Sequence, residues 1–174
     1  MTPRLISWRL AGAVAAVAGL VLIAFVLVWF QPQKLVIDDT VDERLPAAPP
    51  APMATMREAE TAPALRTLSR ASFLSHEHAT EGRARVIELR DGRRFVRFED
   101  FRTSNGPLLR VYLSTTAPDG RGSPFDERFV DLGALKGNIG DQNYAIPRGT
   151  DLGAYRSVVV WCKRFSVPFA AARV

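Results

Sequence analysis

Three side chains in this sequence are of types that bind metals or exchange electrons: Cys162, His76 and His78. Cys162 is the one cysteine of the chain, so an intramolecular disulfide is excluded. In an oxidising compartment a lone thiol links to a partner, reacts, or packs in a core. It ends the run Ser157-Val158-Val159-Val160-Trp161-Cys162 and is followed by Lys163 and Arg164. On a strand it shares a face with Val158 and Val160, while Val159 and Trp161 point the other way; that favours a core position, common for free cysteine. The two cations argue for chemistry, because nearby positive charge favours the thiolate, the nucleophilic and metal-binding form. Together these features predict a partly buried sulfur, reached from a shallow crevice at the strand end, with Lys163 pointing away. His76-Glu77-His78 places both histidines of the chain two residues apart. On a strand they share a face and suit copper, zinc or a haem iron, alone or with Cys162; in a loop they are simply solvated. No Cys-x-x-Cys-His attachment motif occurs, so any haem would be non-covalent, no three-ligand zinc pattern occurs either, and the cofactor is not fixed by the sequence.

Arg102, Asn105, Asp141, Gln142 and Asn143 are the remaining polar candidates. They contain no nucleophile, base and orienting group that would make a hydrolase. Their expected role is turn and strand-end hydrogen bonding, with Asn105-Gly106 at positive φ.

The elements that carry these residues are short strands. Beyond about Leu68, turn signals recur at Glu81-Gly82, Asp91-Gly92, Asn105-Gly106-Pro107, Asp119-Gly120, Gly137-Asn138 and Arg148-Gly149. Asp91-Gly92 between Arg85–Leu89 and Phe95–Phe101 predicts a two-residue hairpin loop. Leu109, Val111 and Leu113 alternate with Arg110, Tyr112 and Ser114, the pattern of a half-buried strand. Ser157–Cys162 is apolar on both faces and predicts a central strand. Val167 to Val174 predicts a last strand, at an edge or with a bulge because of Pro168. The pattern predicts an all-β domain, an antiparallel sandwich or barrel, over residues 67–174.

The N-terminal segment differs. No charged residue occurs from Leu10 to Phe30, 21 positions, a helix long enough to cross a hydrocarbon core of about 30 Å. Arg4 and Arg9 precede it and Asp38, Asp39, Asp42 and Glu43 follow it. The positive-inside rule then gives a cytoplasmic N-terminus (1–9), a transmembrane helix (10–30) and everything else outside the plasma membrane. A cleaved signal peptide would have a shorter apolar run and a small-x-small site, where this chain has Val28-Trp29-Phe30. Residues 31–66, with Pro32, Pro46, Pro49, Pro50, Pro52 and Pro63, predict a disordered Pro/Ala-rich linker. Within it, Leu35-Val36-Ile37 suits a short strand or the end of the interface, and Thr55 to Ser69 suits a weak helical turn.

Charge completes the picture. The chain has 23 basic and 18 acidic residues. The surplus lies beyond Ala64, spread over arginines without a run of four. An anionic envelope polymer, a lipid or an envelope protein is a conceivable partner; nucleic acid is not, for a domain held outside the membrane. The Ala/Arg/Pro-heavy composition fits a bacterial source, for which the outside is the periplasm or cell-wall side.

Three segments resemble the DM13 domain. They are Phe98-Glu99-Asp100-Phe101-Arg102-Thr103-Ser104-Asn105-Gly106-Pro107 with Leu109–Ser114, Asp131-Leu132-Gly133-Ala134-Leu135-Lys136-Gly137-Asn138-Ile139-Gly140-Asp141-Gln142-Asn143-Tyr144, and Trp161-Cys162-Lys163-Arg164-Phe165-Ser166-Val167. Leu108 stands where an acid is frequent in that family, and Ala170 where glycine is frequent. The resemblance implies a DOMON-like β-sandwich. It also implies an extracytoplasmic role in redox or electron transfer, with the family's cysteine at Cys162 acting as a naked thiol or as ligand to a group such as haem. The competing expectation is a binding module without chemistry, in which Cys162 fills the core.

Overall fold

The chain is described from a computed structural model over residues 3–32, 37–47, 65–120 and 125–174, with the side chains of residues 3–7 and 9 excepted. It divides into two units, Met1–Ile37 and Asp38–Val174. The first is helix α1 (Pro3–Trp29). Its stretch Leu10–Trp29 is apolar and long enough to cross a membrane, which is compatible with a single-pass anchor. The side chains of Arg4 and Arg9, on which the orientation rests, lie outside the described residues.

Among its described residues the second unit has ten strands: β1 (Thr40–Asp42), β2 (Leu65–Ser72), β3 (Leu74–Ser75), β4 (Glu81–Leu89), β5 (Arg94–Arg102), β6 (Leu109–Ser114), β7 (Phe129–Ala134), β8 (Ile139–Ile146), β9 (Ser157–Cys162) and β10 (Val167–Arg173). They form two five-stranded sheets, ordered β1-β8-β5-β4-β2 and β3-β10-β9-β6-β7. Every pairing is antiparallel except β1 with β8. The result is sandwich-like, with one core drawn from both sheets: Val86, Val96, Phe98 and Tyr144 from the first, Val111, Leu113, Val158, Val160, Cys162 and Phe169 from the second. The period-two pattern explains it. Leu109, Val111 and Leu113 face this core, whereas Tyr112 joins Phe125, Val159 and Trp161 in a smaller cluster on the opposite face of the second sheet.

The sequence expectations for β9 and β10 hold, and β6 alternates as expected but is buried on both faces rather than half-buried, because Tyr112 packs into the second cluster. β9 is central, and β10 carries a register shift between Pro168 and Ala170, as a residue without an N–H requires. The hairpin between β4 and β5 differs from expectation. Three residues, not two, separate Leu89 from Arg93, whose backbones pair at 2.8 Å, and Gly92 takes φ 78°. Asp91 accepts the Arg93 N–H at 3.0 Å, which favours this longer turn with a left-handed glycine.

The stretch expected to be a linker needs a larger correction. The compact unit begins at Asp38, not near residue 67, and β1 lies inside that stretch. Composition misled here because the stabilising contacts of β1 come from residues almost one hundred positions away. Leu65 to Ser69, included in the suggested helical turn, belong to strand β2. The rest of that turn, the strand suggested at Leu35-Val36, and Pro49, Pro50, Pro52 and Pro63 lie outside the described residues.

Candidate functional site

Cys162 is the last residue of β9, paired with Leu109 of β6 and Val167 of β10. Its side chain is 0% exposed, and its Sγ–H donates to the Pro107 carbonyl at 3.3 Å. The shallow crevice expected from sequence is not there. The reason lies in the loop between β5 and β6, which folds over the strand end. The Asn105 side-chain carbonyl accepts the Gly106 N–H at 2.8 Å, and the Lys163 N–H donates to the Leu108 carbonyl at 3.1 Å. Leu108 turns the chain back with φ 56° and holds its own side chain in solvent. The left-handed residue of this loop is therefore Leu108, not Asn105 or Gly106. Gly106 answers a different demand, since a Cβ there would press on the Phe169 ring at 3.0 Å. Lys163 is exposed, as expected.

The histidines do not share a face, because His76 to His78 form a bend just after β3. His76 hydrogen-bonds the Pro118 carbonyl through Nε2 at 2.8 Å and meets Phe125 edge-on. His78 bonds Ser104 Oγ through Nδ1 at 2.6 Å and stacks on Phe169, centroids 3.7 Å apart. His78 and Cys162 thus hold neighbouring parts of one loop, Ser104 and Pro107, whereas His76 belongs to the opposite face of the second sheet.

The polar residues treated as turn-formers do more than close turns. Asn138, 1% exposed, accepts the Asp39 N–H at 2.7 Å and donates to Asp38 Oδ1 at 2.7 Å and to the Thr103 carbonyl at 3.0 Å. Asn105 Nδ2 donates to Asp39 Oδ2 at 3.0 Å. Asn143 donates to Glu43 and to the Arg44 carbonyl, Lys136 pairs with Glu43 at 2.6 Å, and Arg97 donates to the Glu43 carbonyl and pairs with Asp141. A Cβ at Gly137 would run into the Asp39 carbonyl, and one at Gly140, whose φ is 98°, into the Val41 carbonyl. Hence the sequence Lys136–Asn143 receives β1. The signal for this in the sequence was the excess of glycines and amides around Asn138; its target was not visible.

Electrostatics follow the same contacts. Partial burial raises the Glu43 carboxyl, but hydrogen bonds from Lys136 and Asn143 and the Lys136 charge outweigh it and bring its pKa below the usual value. Burial pushes the Tyr144 phenol well up, so it stays a proton donor; it donates to Gln142 Oε1 and accepts the Lys136 N–H at 3.1 Å.

Neither haem nor a metal ion fits at Cys162. The sulfur is fully buried in the same core cluster as Val160, Phe169 and Leu109, which leaves no room for a macrocycle, and the histidines face different surroundings. Among the described residues no three His, Cys, Asp or Glu side chains are grouped to hold a metal. Among the described residues three open clefts border the first sheet, the first of them also bordering β7. One of about 600 Å³ is bordered by Glu43, Arg44, Arg93 and Lys136, one of about 410 Å³ by Arg93, Arg94 and Arg148, and one of about 390 Å³ by Val41, Asp100 and Asp141. None of the three is lined by Cys162, His76 or His78.

A protein-family model described as "Electron transfer DM13" matches residues 72–174. No curated protein and no solved structure matches the chain.

Proposed function

Because this chain belongs to the DM13 family, we propose that it is an electron-transfer accessory, held by α1 as a single-pass anchor with its β domain on the outer side of the plasma membrane. The family match over most of the domain carries this reading. Cys162 is the redox group we assign. A lone thiol exchanges redox equivalents only with a partner. Its thiolate attacks a partner disulfide, one new S–S bond forms as the old one breaks, and the partner's second sulfur leaves as a thiolate. In the closed domain this attack is blocked, since the sulfur is sealed by the Asn105–Leu108 loop. Cys162 faces the core between the sheets, but it ends its strand and on the Pro107 side its cover is one loop, so local opening of that loop would expose the sulfur there while the sheets stay packed.

The complete burial of Cys162 favours a second reading, a binding module for an envelope protein, lipid or anionic polymer in which the thiol only packs. Incubating the folded protein with a small disulfide and trapping adducts by mass spectrometry separates the two. A mixed disulfide at Cys162 under native conditions supports electron transfer. Adducts that form only in denaturant leave the binding module.

A further inference from the structure

The residues that receive β1 surround a segment with its own chemistry. Asp38–Arg44 is extended and rich in carboxylates. Its backbone pairs with β8 in parallel, Thr40 with Ile139, Val41 with Gly140 and Asp42 with Asp141. Its side chains meet amides and cations: Asp38 meets Asn138, Asp39 meets Asn105, and Glu43 meets Lys136 and Asn143. Such a combination, main-chain pairing along a sheet edge plus side-chain specificity, is how proteins bind an added strand. The receiving face reaches the loop over Cys162 at Asn105 and Thr103. Asn105 donates to Asp39 Oδ2 and its side-chain carbonyl accepts the Gly106 N–H; the next residue, Pro107, accepts the Cys162 thiol. Thr103 ties the start of the same loop to the Asn138 carbonyl at 2.9 Å.

We propose that the face formed by Asn105, Lys136, Asn138, Gly140 and Asn143 is a binding site for an extended acidic strand, filled here by the chain's own Asp38–Arg44, and that its occupancy latches the loop over Cys162. The ligand class is a peptide segment with main chain free to pair and carboxylates at the Asp39 and Glu43 positions. Release of the strand removes the Asp39 carboxylate from Asn105 and so loosens the cover of the sulfur. The proposal extends the redox reading by giving that thiol a control, but its test does not need redox activity.

The test uses the full chain in detergent and measures the rate at which neutral iodoacetamide alkylates Cys162 under native conditions. Asp39→Ala cuts the link to Asn105, and Asp39→Asn keeps an acceptor oxygen for it. Asp39→Ala is expected to react at least about tenfold faster than wild type, the effect of roughly one lost hydrogen bond on an opening equilibrium. Asp39→Asn should stay close to wild type. Ile146→Ala, a core truncation (Ile146 is 6% exposed), serves as a control for general loosening. In the Asp39→Ala/Glu43→Ala chain, a synthetic peptide with the sequence Ile37–Leu45 should slow alkylation again, where a scrambled peptide does not. Equal rates in wild type and Asp39→Ala overturn the latch. So do rates that follow thermal stability alike in Asp39→Ala and Ile146→Ala, and so does a peptide without effect. If the latch holds while no mixed disulfide forms with a small disulfide, the redox reading fails and the strand site stands.

Discussion

Asn138→Ala is the perturbation that weighs most on the strand-receiving face. The side chain is 1% exposed and makes three hydrogen bonds, to the Asp39 N–H, to Asp38 Oδ1 and to the Thr103 carbonyl. A typical hydrogen bond contributes about 1 kcal/mol net, and a buried partner left without one costs about 1–3 kcal/mol. The Asp38 carboxylate is exposed and regains water, so its share is small. The Asp39 N–H and the Thr103 carbonyl are less accessible and carry most of the effect. The expected loss is about 3 kcal/mol, a large fraction of the roughly 5–15 kcal/mol that stabilises a domain. Urea unfolding followed by tryptophan fluorescence measures it, since Trp161 is the tryptophan buried in the β domain. With a slope of about 1–2 kcal/mol/M the midpoint should fall by about 2 M at unchanged slope. A loss below about 1 kcal/mol would show that water replaces the amide and that Asn138 does not anchor the strand.

Gly140→Val should release β1 while leaving the core intact, because the added carbons meet the Val41 carbonyl and φ 98° disfavours valine; hydrogen exchange at the Glu43 N–H, which donates to the Asp141 carbonyl at 2.9 Å, should rise to near the unprotected rate. Acid should loosen the same strand. The folded-state pKa of Glu43 lies below the usual value for a glutamate, so its contribution is complete above that usual value and is lost as pH falls through the folded-state pKa; Glu43→Gln should flatten the acid limb of the exchange profile. Cys162→Ser should cost about 1–2 kcal/mol in the same urea assay, less than a polar group buried without a partner, since the hydroxyl can donate to the Pro107 carbonyl.

Most of the sandwich was legible because its strands obey a simple period. The faces of β6 and β9 followed from alternating residues, and the bulge in β10 from Pro168. What escaped was non-local. Thr40-Val41-Asp42 has neither the length nor the apolar alternation of a strand, and only β8 makes it one. Cys162 was legible in direction but not in depth: alternation fixed its face, while its seal depends on a loop whose turn sits at Leu108, a residue with no turn propensity. His76 and His78 share a face only if they lie on a strand, and the bend after β3 sends them to different neighbours. The amides around Asn138 read as local turn-formers, since their partners Asp38 and Asp39 lie about one hundred residues away in sequence.

Whether Cys162 takes part in electron transfer turns on how its sulfur becomes accessible, and the urea dependence of its native reactivity tests that most directly. Thiol–disulfide exchange of the full chain with a small aromatic disulfide is followed at urea concentrations below the unfolding transition. Opening of the Asn105–Leu108 loop exposes little surface, so the logarithm of the exchange rate should be nearly flat in urea until close to the transition. A rate that instead rises from zero urea with the full slope of global unfolding would mean that the sulfur is reached only by taking the core apart, and Cys162 would be a packing residue.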